Sequence, residues 1–133
     1  MIARSVRLAP HAVVILNHLC YASGDSEWGR PNPKRATAIA RVDNFGAGFL
    51  RAGAAAVIAD GLNSPAYVLR GLFGTNRTLR QIFWSAGHAT RSHAISFASR
   101  RTPGARAIMD PYAPSRYYRS IIGRLEVRAS DWR

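Results

Sequence analysis

From Ala12 to Leu16 the chain is an unbroken block of apolar, mostly branched residues, and Asn17, His18 and Cys20 follow it. Such a block, ended by polar and turn residues, predicts a fully buried strand of a parallel sheet, placed over residues 11–19. Pro10 suits the start of that strand because it has no N–H for the ladder. Residues 23–33 are rich in Ser, Gly, Asp, Asn and Pro and predict a loop. Pro31 and Pro33 exclude a helix interior there. Over residues 35–52, Ile39, Val42, Phe45, Phe49 and Leu50 recur at helical spacing and predict one apolar helix face. Gly46 and Gly48 each lower helix propensity by about 1 kcal/mol, which implies close approach of the helix to a sheet. Gly53 stands where a C′ glycine ends a helix. Residues 54–59, Ala-Ala-Ala-Val-Ile-Ala, predict a second buried strand, closed by Asp60-Gly61. Strand, helix and strand form a βαβ unit, expected to be right-handed.

Ser64-Pro65 predicts the start of a helix running to about Phe73. Gly74-Thr75-Asn76 breaks it, and a second helical piece over 78–85 presents Leu79, Ile82 and Phe83. Residues 93–98 alternate weakly, as a short strand does, and turns are expected at 102–104 and 110–111. Residues 117–127 fit either a strand or a helix. The first ten residues read as short, basic and irregular. With no internal repeat or linker, residues 1–133 are expected to form a single domain. The predicted class is α/β, a three-layer sandwich with a mainly parallel sheet.

The composition, 47% hydrophobic and 20% charged, is that of a globular protein. No apolar run approaches the roughly 18 residues of a membrane span, and no signal-peptide pattern is visible. The net charge of +12 invites a nucleic-acid reading. Its distribution argues against one: Lys34 is the only lysine, and the arginines scatter from Arg4 to Arg133 without a block of like charge. A basic nucleic-acid-binding domain would need a contiguous arginine patch. A single cysteine excludes an internal disulfide and multi-cysteine zinc sites, and the four histidines lack metal spacing. No metal and no cofactor are expected.

In open α/β sheets ligands sit beyond the carboxyl ends of the parallel strands. His18, Cys20, Asp25 and Glu27 follow the first predicted strand, and Asp60 ends the second. A cysteine attacks as its thiolate and needs a base or cation beside it. His18 shares a face with Cys20 if the strand continues that far. Asp25, Glu27 and Asp60 would then line a pocket that selects a basic substrate group. Each also has a plainer reading: Cys20 as a small buried hydrophobe, Asp25 and Glu27 as loop carboxylates, Asp60-Gly61 as a turn. Asp43-Asn44 is expected on the polar side of its helix. Arg116, Arg119 and Arg124 are expected to form a solvated basic face, and the tryptophans to pack.

The stretch Val13-Val-Ile-Leu-Asn-His-Leu-Cys20-Tyr-Ala-Ser-Gly24, taken with residues 42–60, resembles the second half of the caspase-like cysteine peptidase fold, the group of caspases, gingipains and CHAT domains. Cys20 matches the position of that nucleophile, and Phe49-Leu-Arg-Ala-Gly-Ala54 matches the helix-to-strand turn after it. The stretches His18–Gly24, Arg41–Asn44 and Arg101–Gly104 are similar to uncharacterised actinobacterial proteins, often large and secreted. The resemblance implies a cysteine-dependent hydrolase acting on peptide bonds. It also implies a catalytic His-Gly turn ahead of the Cys strand. The residues before that strand contain none, and His11 is at its wrong end. The chain is therefore expected to be the C-terminal part of a longer domain, with an open sheet edge suited to association. A non-catalytic interaction domain that keeps the fold is the alternative.

Overall fold

In a computed structural model that describes residues 6–133, the first apolar block forms β1 (Val13–Asn17). The basic, irregular start expected over 1–10 falls in part on residues 1–5, outside those described. A short helical turn, α1 (Cys20–Ser23), follows β1 and ends at Gly24 in the left-handed conformation. The predicted long helix is α2 (Arg35–Arg51), and β2 (Ala56–Asp60) follows it. Next come α3 (Ala66–Gly74) and α4 (Leu79–Trp84), separated at the predicted break. Thr78 and Gln81 form a capping box at the start of α4. The chain closes with β3 (Ile95–Ala98), β4 (Arg106–Met109), β5 (Arg119–Gly123) and the short α5 (Ala129–Trp132).

The strands form one five-stranded sheet in the order β1-β2-β5-β4-β3. Among the described residues only β1 and β2 are parallel, in register from Val13 opposite Ala56 to Asn17 opposite Asp60. The β2–β5, β5–β4 and β4–β3 pairs are antiparallel. The fold is thus mixed α/β, and the expectation of a mainly parallel sheet fails. Parallel pairing needs a crossover of roughly a dozen residues or more. The connections 99–105 and 110–118 are shorter than that and return the chain antiparallel. Strand β1 also departs from expectation. It lies at the sheet edge, half-buried from Val13 to Leu16 and exposed at Asn17, whereas β2 and β5 are buried throughout.

The two faces of the sheet carry separate cores. On one, Ala38 and Val42 of α2 meet Val57, Ala107, Met109 and Ile122. Gly46 belongs to this contact: a Cβ there would lie 2.5 Å from Ile122 Cγ2, so the close approach read from the glycine is present. Phe45, expected on the apolar face, is exposed. The face is built from small residues, Ala38, Gly46 and Ala47, to which a pattern of large apolar residues is blind. On the other face Val68, Leu72, Leu79, Ile82 and Phe83 pack on Ile58, Ile108 and Ile121. Asp43 is not on a solvated side. It is buried and accepts hydrogen bonds from Ser99 Oγ and from the backbone N–H of Arg100 (2.9 Å) and Arg101 (3.3 Å). It thereby ties α2 to the turn after β3. Among the described residues no helix is long and apolar enough to cross a membrane.

Candidate active site

The carboxyl ends of β1 and β2 meet the start of β5 and the end of β4 along one edge of the sheet. Asp60, Arg119 and Asp110 come together there, each at most 3% exposed. The Arg119 Nε is 3.4 Å from Asp110 Oδ2, and its Nη1 is 3.7 Å from Asp60 Oδ2. Its Nη2 donates to the Phe83 carbonyl, and the guanidinium carbon stands 4.0 Å from the centre of the Phe83 ring. Asp60 Oδ1 accepts from the N–H of Leu62 and of Asn63, each at 2.9 Å. Its Oδ2 accepts from Tyr67 Oη at 2.8 Å and Asn63 Nδ2 at 3.0 Å. Asp110 accepts from the N–H of Thr90 (3.0 Å) and Arg91 (2.7 Å). The cluster pins the loops after β2 and before β3 to the sheet edge. Arg119 is therefore a buried counter-ion, against the expectation of a solvated basic face; Arg116 and Arg124 are exposed as expected.

Tyr67 is buried against this cluster. Burial first, then the Asp60 charge, raise its hydroxyl well above the ordinary tyrosine range. Between the unfolded and folded values the unfolded chain releases this proton and the folded chain keeps it. Stability must then fall as pH climbs past about 10, by up to about 1.4 kcal/mol per pH unit. Urea melts at pH 9 to 11 are expected to show this slope, and Tyr67→Phe is expected to flatten it.

Cys20 is the first residue of α1 and is half-buried. It lines a cleft of about 170 Å³ with Asp25, Glu27, Trp28, Arg30, Arg116 and Tyr118. The N–H of Asp25 donates to the Cys20 carbonyl at 3.0 Å, and Ser23 Oγ lies 2.9 Å from the same oxygen. Ser23 Oγ is also 2.8 Å from the Tyr117 carbonyl, which locks α1 to the approach of β5. Arg41, stacked 4.4 Å over the Tyr21 ring, donates to the Asp25 carbonyl (3.0 Å) and to Ser26 Oγ (3.1 Å). The loop that follows α1 and carries Asp25 is thus held from α2.

Of the residues singled out in the sequence, Cys20, Asp25 and Glu27 share this cleft. Asp25 is buried; its Oδ1 accepts from Ser26 N–H at 2.8 Å. Glu27 is exposed. Arg30 and Arg116 stand on the same rim, so the cleft carries both signs of charge. Asp60 does not line it, because its carboxylate is spent on the buried cluster. His18 is not paired with Cys20. Strand β1 ends at Asn17, and His18 turns into the left-handed region (φ 57°) with its side chain exposed. The shared strand face assumed for the pair does not exist. Sequence reasoning missed Asn63, Tyr67, Asp110 and Arg119. Their one local signal is an acidic residue closing an apolar run, at Ile58-Ala59-Asp60 and again at Ile108-Met109-Asp110. Among the described residues no group of three or more His, Cys, Asp or Glu side chains is arranged to hold a metal ion. Comparisons with protein-family models, with curated proteins and with solved structures found no match.

Proposed function

We propose that this chain is the nucleophile-bearing part of a cysteine-dependent, peptidase-like hydrolase, a three-layer caspase-like half-domain with Cys20 as the attacking group. The observation that supports this most is the placement of Cys20. It opens α1 after β1 of the parallel pair and lines a cleft with Asp25 and Glu27; α1 is tied to the Tyr117 carbonyl ahead of β5, and the loop after it to Arg41 of α2. In addition, the backbone N–H groups of Cys20 and Tyr21 donate to no carbonyl among the described residues. In this reading the thiolate adds to the scissile carbonyl, and those N–H groups receive the developing oxyanion. The amine leaves with a proton from a general acid, the role the resemblance gives to a histidine. Water then releases the acyl group and regenerates the thiol. Glu27, exposed on the rim, favours a basic side chain next to the scissile bond, with the buried Asp25 behind it and Arg30 and Arg116 on the same rim.

A second reading, a binding domain that keeps the fold without the chemistry, draws on one observation. His18, the nearest histidine in sequence, makes no hydrogen bond to Cys20 among the described residues and faces solvent. Acylation separates the two. A peptidyl p-nitrophenyl ester ending in arginine should acylate Cys20 about fivefold faster than one ending in aspartate, the size of a partly screened charge contact of ~1 kcal/mol. Equal rates for the two esters support the binding domain.

A further inference from the structure

We propose that the outer edge of β3, with the groove beside it, binds an acidic peptide segment in extended conformation, which adds to the sheet as a further strand. Among the described residues strand β3 pairs with β4 alone and ends the sheet. The N–H of Ser99 donates to the Ala105 carbonyl at 2.9 Å, and Ala98 stands opposite Arg106. By the alternation of an antiparallel ladder, Ser96 and Ala98 therefore turn their N–H and C=O groups outward, away from β4. Both residues are exposed. The strand reads Ile-Ser-Phe-Ala, without the proline or lysine that commonly blocks an exposed edge.

Next to this edge lies a groove of about 670 Å³ between α2 and the end of β3. Ile39 and Phe97 give it apolar surface, and the exposed Ala36 and Ala40 leave room where larger helix residues would fill it. Alternate side chains of an added strand have this space to enter. The charge at the groove selects the partner. Arg100 and Arg101 line it, and its one carboxylate, Asp43, is already satisfied by Ser99 Oγ and the N–H groups of those two arginines. A second copy of a chain with net charge +12 is the disfavoured occupant, whereas a carboxylate-rich strand is complementary. This surface is separate from the Cys20 cleft, and the two share no lining residue.

The test uses a fluorescein-labelled peptide of about eight alternating valine and glutamate residues, the length of a strand with short flanks. Its valine-lysine counterpart and a single-stranded oligothymidylate are the controls. Fluorescence anisotropy should show saturable binding of the glutamate peptide and none of the lysine peptide. Ala98→Pro removes one outward N–H and leaves the β4 ladder whole, since Ala98 does not bond to β4. It should weaken binding by about tenfold, the loss of one backbone hydrogen bond at a desolvated edge. Arg100→Glu with Arg101→Glu should weaken it at least as much, with backbone N–H bonds to Asp43 retained. Cys20→Ala should bind as the parent does. The proposal is overturned if the glutamate peptide does not bind, or if both variants bind it unchanged. It is equally overturned if the oligothymidylate competes on the same terms, or if the free protein is a dimer that Ala98→Pro dissociates.

Discussion

Arg119→Met is expected to destabilise the fold by about 3–5 kcal/mol, the cost of leaving buried charge uncompensated. The change keeps most of the side-chain volume and removes the cation between Asp60 and Asp110. Neither carboxylate has water to turn to, since both residues are at most 3% exposed. Arg119→Lys should rescue little. One ammonium cannot face two carboxylates, reach the Phe83 carbonyl and stack on the Phe83 ring at the same time. Adding Asp110→Asn to Arg119→Met should recover part of the loss, because it withdraws one orphaned charge. Urea denaturation reads all four proteins. An Arg119→Met midpoint equal to or above that of the parent would mean that the triad is replaceable by apolar packing.

Gly123→Ala is expected to cost about 3 kcal/mol or more, from backbone strain and overlap together. Gly123 ends β5 at φ 146°, a region that side chains rarely adopt. A Cβ there would overlap the Ala55 carbonyl oxygen and lie 2.6 Å from Ala56 Cα. Both obstacles are backbone of the segment entering β2, so no rotamer relieves them. Arg124 N–H also donates to the Ala55 carbonyl at 2.8 Å, so a shift that made room would break this bond as well. Gly87→Ala is the matched control. Nothing lies within 4 Å of a Cβ at that site, and a surface substitution of this kind is expected to stay within about 0.5 kcal/mol. Thermal melts of the two variants should diverge accordingly. Equal melting would remove the close approach of β5 to β2 from the account.

The elements that were legible in the sequence are those whose cause is local. The helix over 35–52 appears as α2 (Arg35–Arg51), and its glycine reading holds at Gly46. The break at Gly74-Thr75-Asn76 and the second buried strand also appear. What was not legible depends on partners far along the chain. The direction of β5 follows from the short return after β4, and a run of apolar residues carries no direction. Arg119 looked like its neighbours Arg116 and Arg124, and only the convergence of Asp60, Asp110 and Phe83 makes it a core residue. Asp43 sat on what looked like a polar face because its partners, residues 99–101, lie more than fifty positions away. In the candidate site the grouping of Cys20, Asp25 and Glu27 was local and legible. The pairing of His18 with Cys20 assumed that β1 ran past Asn17, and a left-handed residue ends that argument.

Cys20 is proposed as the nucleophile of the cleft it lines. The most direct measurement is the intact mass of the protein, followed by peptide mapping, after brief exposure to the arginine and aspartate esters in separate samples. The account predicts one acyl group per chain, on Cys20, formed faster from the arginine ester and absent in Cys20→Ala. Acylation that is spread over other residues, or indifferent to the ester, or equal in Cys20→Ala would contradict it.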